Sequence, residues 1–421
     1  MIAKLVRVLL VASVLAAAPA HATPEGMRDA IVAMDIEALR REAAAGTPAE
    51  RQLAAGIELS WTSHSAAATF ALSAAVDAQS DPSLKAAGLR ALMSLCMRRG
   101  EFAAAASAGL RASAIEPMEA GEQQALTFVE ALTSVPPTRA LSDPSGAAPI
   151  ERDLAGLRRS DISVGEERVS AILDTGANFS TINTTSAQRL GLRMLDAAVS
   201  VGSSSRDAVS SRLGVAERLS IGGVEFSNVV FIVLPDADLS FANGAYTIDA
   251  ILGMPVFLQM KRIGFTQVDG KETFVFGDKA ASVGDAPRNI LFSGLSPLVD
   301  VSIAVSGQTL DLRLLLDSGA QKTSFEGRFT DVAAHLLGDA TTVTATRGGA
   351  GGLVTNDATK RMPVVDLTVA GKTVTLKNVD AHASEQQSSL GILGLDAFGS
   401  GFVIDWDVGV LAHAESPVPR Q

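Results

Sequence analysis

Cysteine is almost missing: Cys96 stands alone in 421 residues. A single thiol forms no internal disulfide and no thiolate metal cluster. Cys96 falls in an apolar helical pattern, which reads as buried core rather than nucleophile. An excess of positive charge is missing too. The formal net charge is −11 and the pI about 5.0. No basic run carries interleaved aromatics, so nucleic acid and anionic membranes are poor partners. The five histidines, His21, His64, His335, His382 and His413, form no His-x-x-x-His ligand pair. No Gly-x-Ser-x-Gly turn or Walker motif is present. Neither a metal nor a cofactor is expected, and His335, on an apolar helical pattern, reads as core rather than ligand.

Long apolar runs are missing beyond the N-terminus. There, Lys4 and Arg7 precede an apolar stretch from Val8 to Ala18, and Ala20-His21-Ala22 fits a small-x-small cleavage site. This reads as a signal peptide over 1–22 with a mature start near Thr23. The run is shorter than the ~20 residues of a spanning helix, and no cysteine near the site offers a lipid anchor. The expectation is an exported bacterial protein, periplasmic or secreted, with no stable membrane span after signal cleavage.

What is present is a chain that is 47% hydrophobic and long enough for two or three domains. Residues 23–135 are Ala-rich, with apolar positions at helical spacing through 27–45, 50–60, 66–78, 84–97, 102–115 and 120–133. Breaks fall at Gly46-Thr47-Pro48, Ser80-Asp81-Pro82, Arg99-Gly100-Glu101 and Glu116-Pro117. One unit, from Leu89 through Cys96, Gly100-Glu101-Phe102 and Ala112 to Pro117, has the spacing of a tetratricopeptide repeat, and Pro82 and Pro117 lie 35 residues apart. Such helix pairs either present a groove to a protein partner or simply pack on the rest of the chain. Pro, Gly and Ser then mark a linker over 136–152.

From there the period changes to two. Strands are expected at Leu157–Val164 and Arg168–Leu173, the second ending in Asp174-Thr175-Gly176-Ala177. A short helix from Thr184 to Leu190, a Ser/Gly-rich stretch, strands around 219–224 and 229–234, and Ile251-Leu252-Gly253 follow. A hairpin over 263–276 closes the unit. The same order recurs. Strands at 298–305 and 309–316 end in Asp317-Ser318-Gly319-Ala320, followed by a short helix at 330–337. Next come Arg347-Gly348-Gly349-Ala350-Gly351-Gly352, strands at 364–369 and 373–379, Ile392-Leu393-Gly394, and a closing segment over 402–411. Asp174 and Asp317 are 143 residues apart, and Gly253 and Gly394 are 141 apart. Two markers with nearly one offset indicate an internal duplication, with a first lobe at 153–282 and a second at 283–421.

The conjunction of an apolar run, Asp-Thr/Ser-Gly-Ala, a Gly-rich segment and Ile-Leu-Gly resembles the retropepsin-like aspartic peptidases, over roughly residues 153–414. The fold this implies is a helical, tetratricopeptide-like domain at 23–135, followed by an all-β, double-lobed acid-protease fold of two barrel-like lobes. The resemblance implies an endopeptidase in which Asp174 and Asp317 share a proton and activate a water. Thr175 and Ser318 would lock the two loops across the axis, with Gly176 and Gly319 allowing the sharp turn. The substrate would be an extended polypeptide under a flap formed by Gly348, Gly349, Ala350, Gly351 and Gly352. Residues 200–212 would be either the first lobe's flap or a plain surface loop, since serine and charge replace most of its glycines. The side chains of Ala177 and Ala320 donate no hydrogen bond to the carboxylates, so a mildly acidic to near-neutral optimum is expected. The rival reading is an inactive peptide-binding or scaffold protein using the same cleft and the helical repeats.

Overall fold

Helix starts in the N-terminal region are written by capping residues. Thr23, Asp35, Thr47, Ser65 and Asp81 each accept a hydrogen bond from a first-turn backbone N–H, and Pro24, Pro48 and Pro82 occupy positions where a missing N–H costs nothing. The computed structural model describes residues 23–202, 209–349, 352–382, 389–399 and 401–414. The signal-peptide reading over 1–22 therefore lies outside the described residues. Seven helices result: α1 (Pro24–Val32), α2 (Ile36–Ala44), α3 (Pro48–Thr62), α4 (Ala66–Ala78), α5 (Pro82–Arg98), α6 (Phe102–Ser113) and α7 (Ala120–Ala131). The single helix expected over 27–45 is two. Asp35 accepts from the Ala38 N–H at 2.9 Å, and Met34 turns to φ 51°, so a cap interrupts a periodicity that runs on through it.

Beyond the helices, residues 139–252 supply a nine-stranded sheet and residues 290–393 an eight-stranded one. Their pairings correspond. Strand Glu167–Leu173 runs parallel to Ala250–Leu252, with Leu173 opposite Leu252. Strand Gln308–Leu316 runs parallel to Gly391–Leu393, with Leu316 opposite Leu393. In each half the third member, Ser180–Asn183 or Ser324–Phe325, pairs antiparallel to the short strand. Each ladder delivers an aspartate just past its end. The ends of these strands are buried, Leu173, Leu252, Leu316 and Leu393 completely so, which is why an apolar run precedes each aspartate.

Several expectations change. The hairpin over 263–276 does not close its own unit. Arg262–Val268 pairs with Phe402–Asp405, placing Ile263 opposite Ile404, and a five-stranded sheet joins Gly146–Pro149 to both hairpins. Phe265, Phe274, Phe276 and Phe402 are all buried, so the apolar face of each hairpin is covered by their shared packing. The stretch read as a linker carries three short strands: Arg139–Ala140, Gly146–Pro149 and Glu151–Arg152, each on a different neighbour. At two to four residues they are too short to show a period. The helix expected at 330–337 is a helix at Gly327–Val332 followed by a 3-10 turn at Ala334–Leu337, and His335 is exposed rather than core. Helix Thr184–Arg189 is capped by Asn183. Cys96 is buried, and burial pushes its thiol up to about 12, far from nucleophilic use.

The helical region packs onto both β halves. Phe179, five residues past Asp174, is buried against Phe128 and Phe102, with ring centroids 4.6 and 6.3 Å away. Arg98, at the end of α5, lies 4.6 Å above the Phe292 ring and donates to the carbonyls of Ser60, Ser63 and Gly294. Replacing Phe179 by Ala is expected to cost about 3–5 kcal/mol of stability, as for other buried Phe→Ala changes, read as a lower urea midpoint. No change in that midpoint would mean the helical region docks elsewhere.

Candidate active site

Both aspartates sit where a buried strand meets a tight turn. The Asp174 N–H donates to the Leu252 carbonyl at 3.1 Å and the Asp317 N–H to the Leu393 carbonyl at 3.2 Å, so each is fixed by the short strand beside it. Each carboxylate is then held by the turn that follows. Asp174 Oδ1 accepts from the N–H groups of Gly176 (2.8 Å) and Ala177 (3.1 Å). Asp317 Oδ1 accepts from Gly319 N–H at 2.8 Å.

The next residue of each turn reaches across to the other. Thr175 Oγ1 donates to the Leu316 carbonyl (2.7 Å) and accepts from Ser318 N–H (3.0 Å). Ser318 Oγ donates to the Leu173 carbonyl (2.7 Å) and accepts from Thr175 N–H (3.0 Å). Both hydroxyls are buried, so four hydrogen bonds that water does not replace tie the loops together. Thr175→Val keeps the shape and removes two of them. A loss of about 1–3 kcal/mol is expected from the stranded Leu316 carbonyl and Ser318 N–H. Ser318→Ala should behave alike, and the double variant should cost less than the sum, because the pair shares one network. A strictly additive cycle would contradict this.

The crossing brings the two carboxyls within hydrogen-bonding reach of each other. Burial, the negative charge of Asp174 and their mutual hydrogen bond hold Asp317 well above the ordinary carboxylate range. Burial also raises Asp174, opposed by the hydrogen bond from Asp317 and by the N–H groups of Gly176, Ala177 and Gly319. Two like charges this close do not both ionise, and one proton belongs to the pair.

The carboxyls open onto a cavity of about 1880 Å³, larger than the ~300–1,000 Å³ typical of a small-molecule site. Hairpin Thr341–Gly349/Gly352–Val369 contributes to its lining. Gly348 and Gly349 line the cavity, Gly352 begins the return strand at φ 116°, and Ala350 and Gly351 lie outside the described residues. Arg347, one residue earlier, places Nη1 2.8 Å from both carboxylate oxygens of Glu326, which is 1% exposed. That ion pair ties the hairpin, close to its turn end, to Glu326 of the same half. Of the 200–212 stretch, Gly202 lines the cavity, and 203–208 lie outside the described residues.

Residues 160–256 match the aspartyl protease family model. The matched stretch contains Asp174 and Ile251-Leu252-Gly253 and supports an aspartic peptidase family for this chain. Asp317 lies beyond it. No curated protein matches the chain.

Some of the aspartyl protease-like site carries no motif. Glu326 stands nine residues after Asp317 as Asn183 stands nine after Asp174, so the repeat itself flags the position, but not its ion pair. On the Asp174 side, Ile172, Ile248 and Ile251 form a small apolar cluster with Phe241 and Tyr246 packed against it, all five lining the cavity. Tyr246, the lone tyrosine, donates to Asp153 Oδ2 at 2.7 Å, and Arg159 Nε donates to the same oxygen at 2.7 Å.

Proposed function

We propose that this chain is an exported aspartic endopeptidase in which Asp174 and Asp317 form the catalytic dyad. The observation that carries the reading is the pair of carboxyls within hydrogen-bond reach, both with raised proton affinity, on loops cross-tied by Thr175 and Ser318. The corresponding ladders of the two halves support two lobes that arose by duplication, with Gly348–Gly352 as flap. The first residues support export to the periplasm or medium, with the chain starting near Thr23 after cleavage.

The chemistry follows from the shared proton. One carboxyl of the pair holds it while the other is the anion, and with the proton on Asp317 the base is Asp174. Asp174 takes a proton from a water while Asp317 gives its proton to the peptide carbonyl oxygen. The water oxygen bonds to the carbonyl carbon, forming a neutral gem-diol. Asp317, now an anion, takes a diol proton as Asp174 gives its own to the amide nitrogen, and the C–N bond breaks to an acid and an amine. No bond to the protein forms. The polypeptide lies extended in the groove, consistent with a cavity larger than a compact ligand needs.

The test is incubation with an unfolded polypeptide across pH. Internal cleavage is expected, with one oxygen from labelled water in each new carboxyl. Both members of the pair are raised, so the active monoanion occupies a window displaced upward. Activity rises as pH climbs through the pair's lower step and falls through its upper one. A peak below about pH 3 would sit under the dyad's usual upper value and contradict the reading. Complete absence of cleavage at every pH would favour the peptide-binding alternative.

A further inference from the structure

The cavity does not end at the dyad. Along strand Gln308–Leu316, alternate residues share a face, and Arg313, Leu315 and then Asp317 all line the cavity. The neighbouring strand Ser296–Val305 supplies Leu298 and Asp300, paired with Leu315 and Arg313. This face is a groove floor running from Asp317 away from the dyad. Its far wall comes from the other end of the chain. Val32, Ala33 and Met34, the turn between α1 and α2, line the same cavity.

That turn is fixed in place. Arg313 Nη1 donates to the Met34 carbonyl at 2.8 Å, while its Nε donates to Asp300 Oδ1 at 2.7 Å. Met34 takes a left-handed φ of 51°, a conformation a side-chain-bearing residue adopts at some cost, and its N–H donates back to the Ile31 carbonyl at 3.1 Å. Held so, the turn leaves Val32 at 85% exposure. An exposed valine alone is ordinary. Here it borders a groove continuous with the two carboxyls, on a turn tethered to the groove floor.

We propose that the Val32–Met34 turn is part of the substrate-binding surface and selects an apolar residue of the polypeptide at a distance from the scissile bond. This rests on the aspartic-peptidase reading of the cleft. Arg313 precedes Asp317 by four residues, about 13 Å of strand at the usual rise. An extended substrate has the same rise, so the residue facing Val32 lies about four positions from the bond cut. The helical region thereby reads sequence in the substrate that the two β halves do not reach. A short peptide does not sense it, and a longer one does.

The test separates this from the dyad. In the Asp317→Asn chain, which retains bound peptide, affinity is measured by fluorescence anisotropy for two apolar peptides. One extends about two residues on each side of the central bond, the other about five. Val32→Glu is expected to weaken the longer peptide about ten-fold by losing one apolar contact, and to leave the shorter unchanged. Val32→Leu should restore the longer. Equal binding of the longer peptide by parent and Val32→Glu, or equal losses for both peptides, overturns the proposal. Cleavage of the short peptide by the chain with both aspartates intact tests the dyad alone. If it fails while Val32 still governs binding of the longer peptide, the turn remains a binding surface and only the catalytic reading falls.

Discussion

Asp317→Asn is expected to lower the rate of peptide hydrolysis by about 10³–10⁴-fold, the upper range for one acid–base group, and to raise the unfolding midpoint near neutral pH. The first effect follows from the proton: an amide neither holds it nor returns it. The second follows from linkage. Asp317 is raised in the folded chain by burial and by Asp174, so at pH values between its ordinary and raised positions the native state holds a proton that the unfolded chain has released. There the unfolded state binds fewer protons, and stability falls as pH rises through this window, then stays low above it. An amide carries no charge to bury and removes that penalty. A variant that is inactive and also less stable at pH 7, or one that retains hydrolysis, would contradict the assignment. Comparing unfolding midpoints at pH 4 and pH 7 tests the sign directly, since the gain should shrink at the lower pH.

Gly319→Ala is the second large effect. A Cβ there would lie 2.5 Å from Asp174 Cγ, and one on Gly176 2.6 Å from Asp317 Cγ. Carbon atoms in contact sit ~3.5–4.0 Å apart, so either substitution pushes the opposite carboxyl by about 1 Å. A displacement of that size costs about 10²-fold in rate. The backbone N–H groups survive in Ala, so the loss is steric and should appear in kcat more than in KM, together with a lower thermal midpoint. A kcat within a factor of about two of the parent, well inside that 10²-fold loss, would show that the loops have room the geometry denies.

Much of this site was legible in the sequence because its chemistry is concentrated. An apolar run, an Asp, a hydroxyl and a Gly are contiguous, and they recur at one offset. The strands that deliver them were legible for the same reason. The packing around them was not. Phe179 has the appearance of any core residue, and nothing in its neighbourhood tells that Phe102 and Phe128, far back in the helical region, cover it. Asp35 starts a new helix by its side chain while the apolar period carries on. His335 follows a helical pattern that becomes a 3-10 turn, and so faces solvent. The strands within 139–152 are set by their partners, not by their own residues. Local patterns report local chemistry, and contacts between distant segments leave no period to read.

The five-stranded sheet has a consequence in time. Its central pairing joins Arg262–Val268 to Phe402–Asp405, and Val410–His413 covers the edge beyond. The first half cannot seat its closing hairpin on its native neighbour until about 140 further residues have been made. Such distant pairing forms late and slowly. During synthesis, then, the half bearing Asp174 waits with an open edge at Arg262–Val268 until Phe402–Asp405 arrives. On the peptidase reading, a sheet that joins the two halves across so long a stretch of chain keeps the fold incomplete while that stretch is being made.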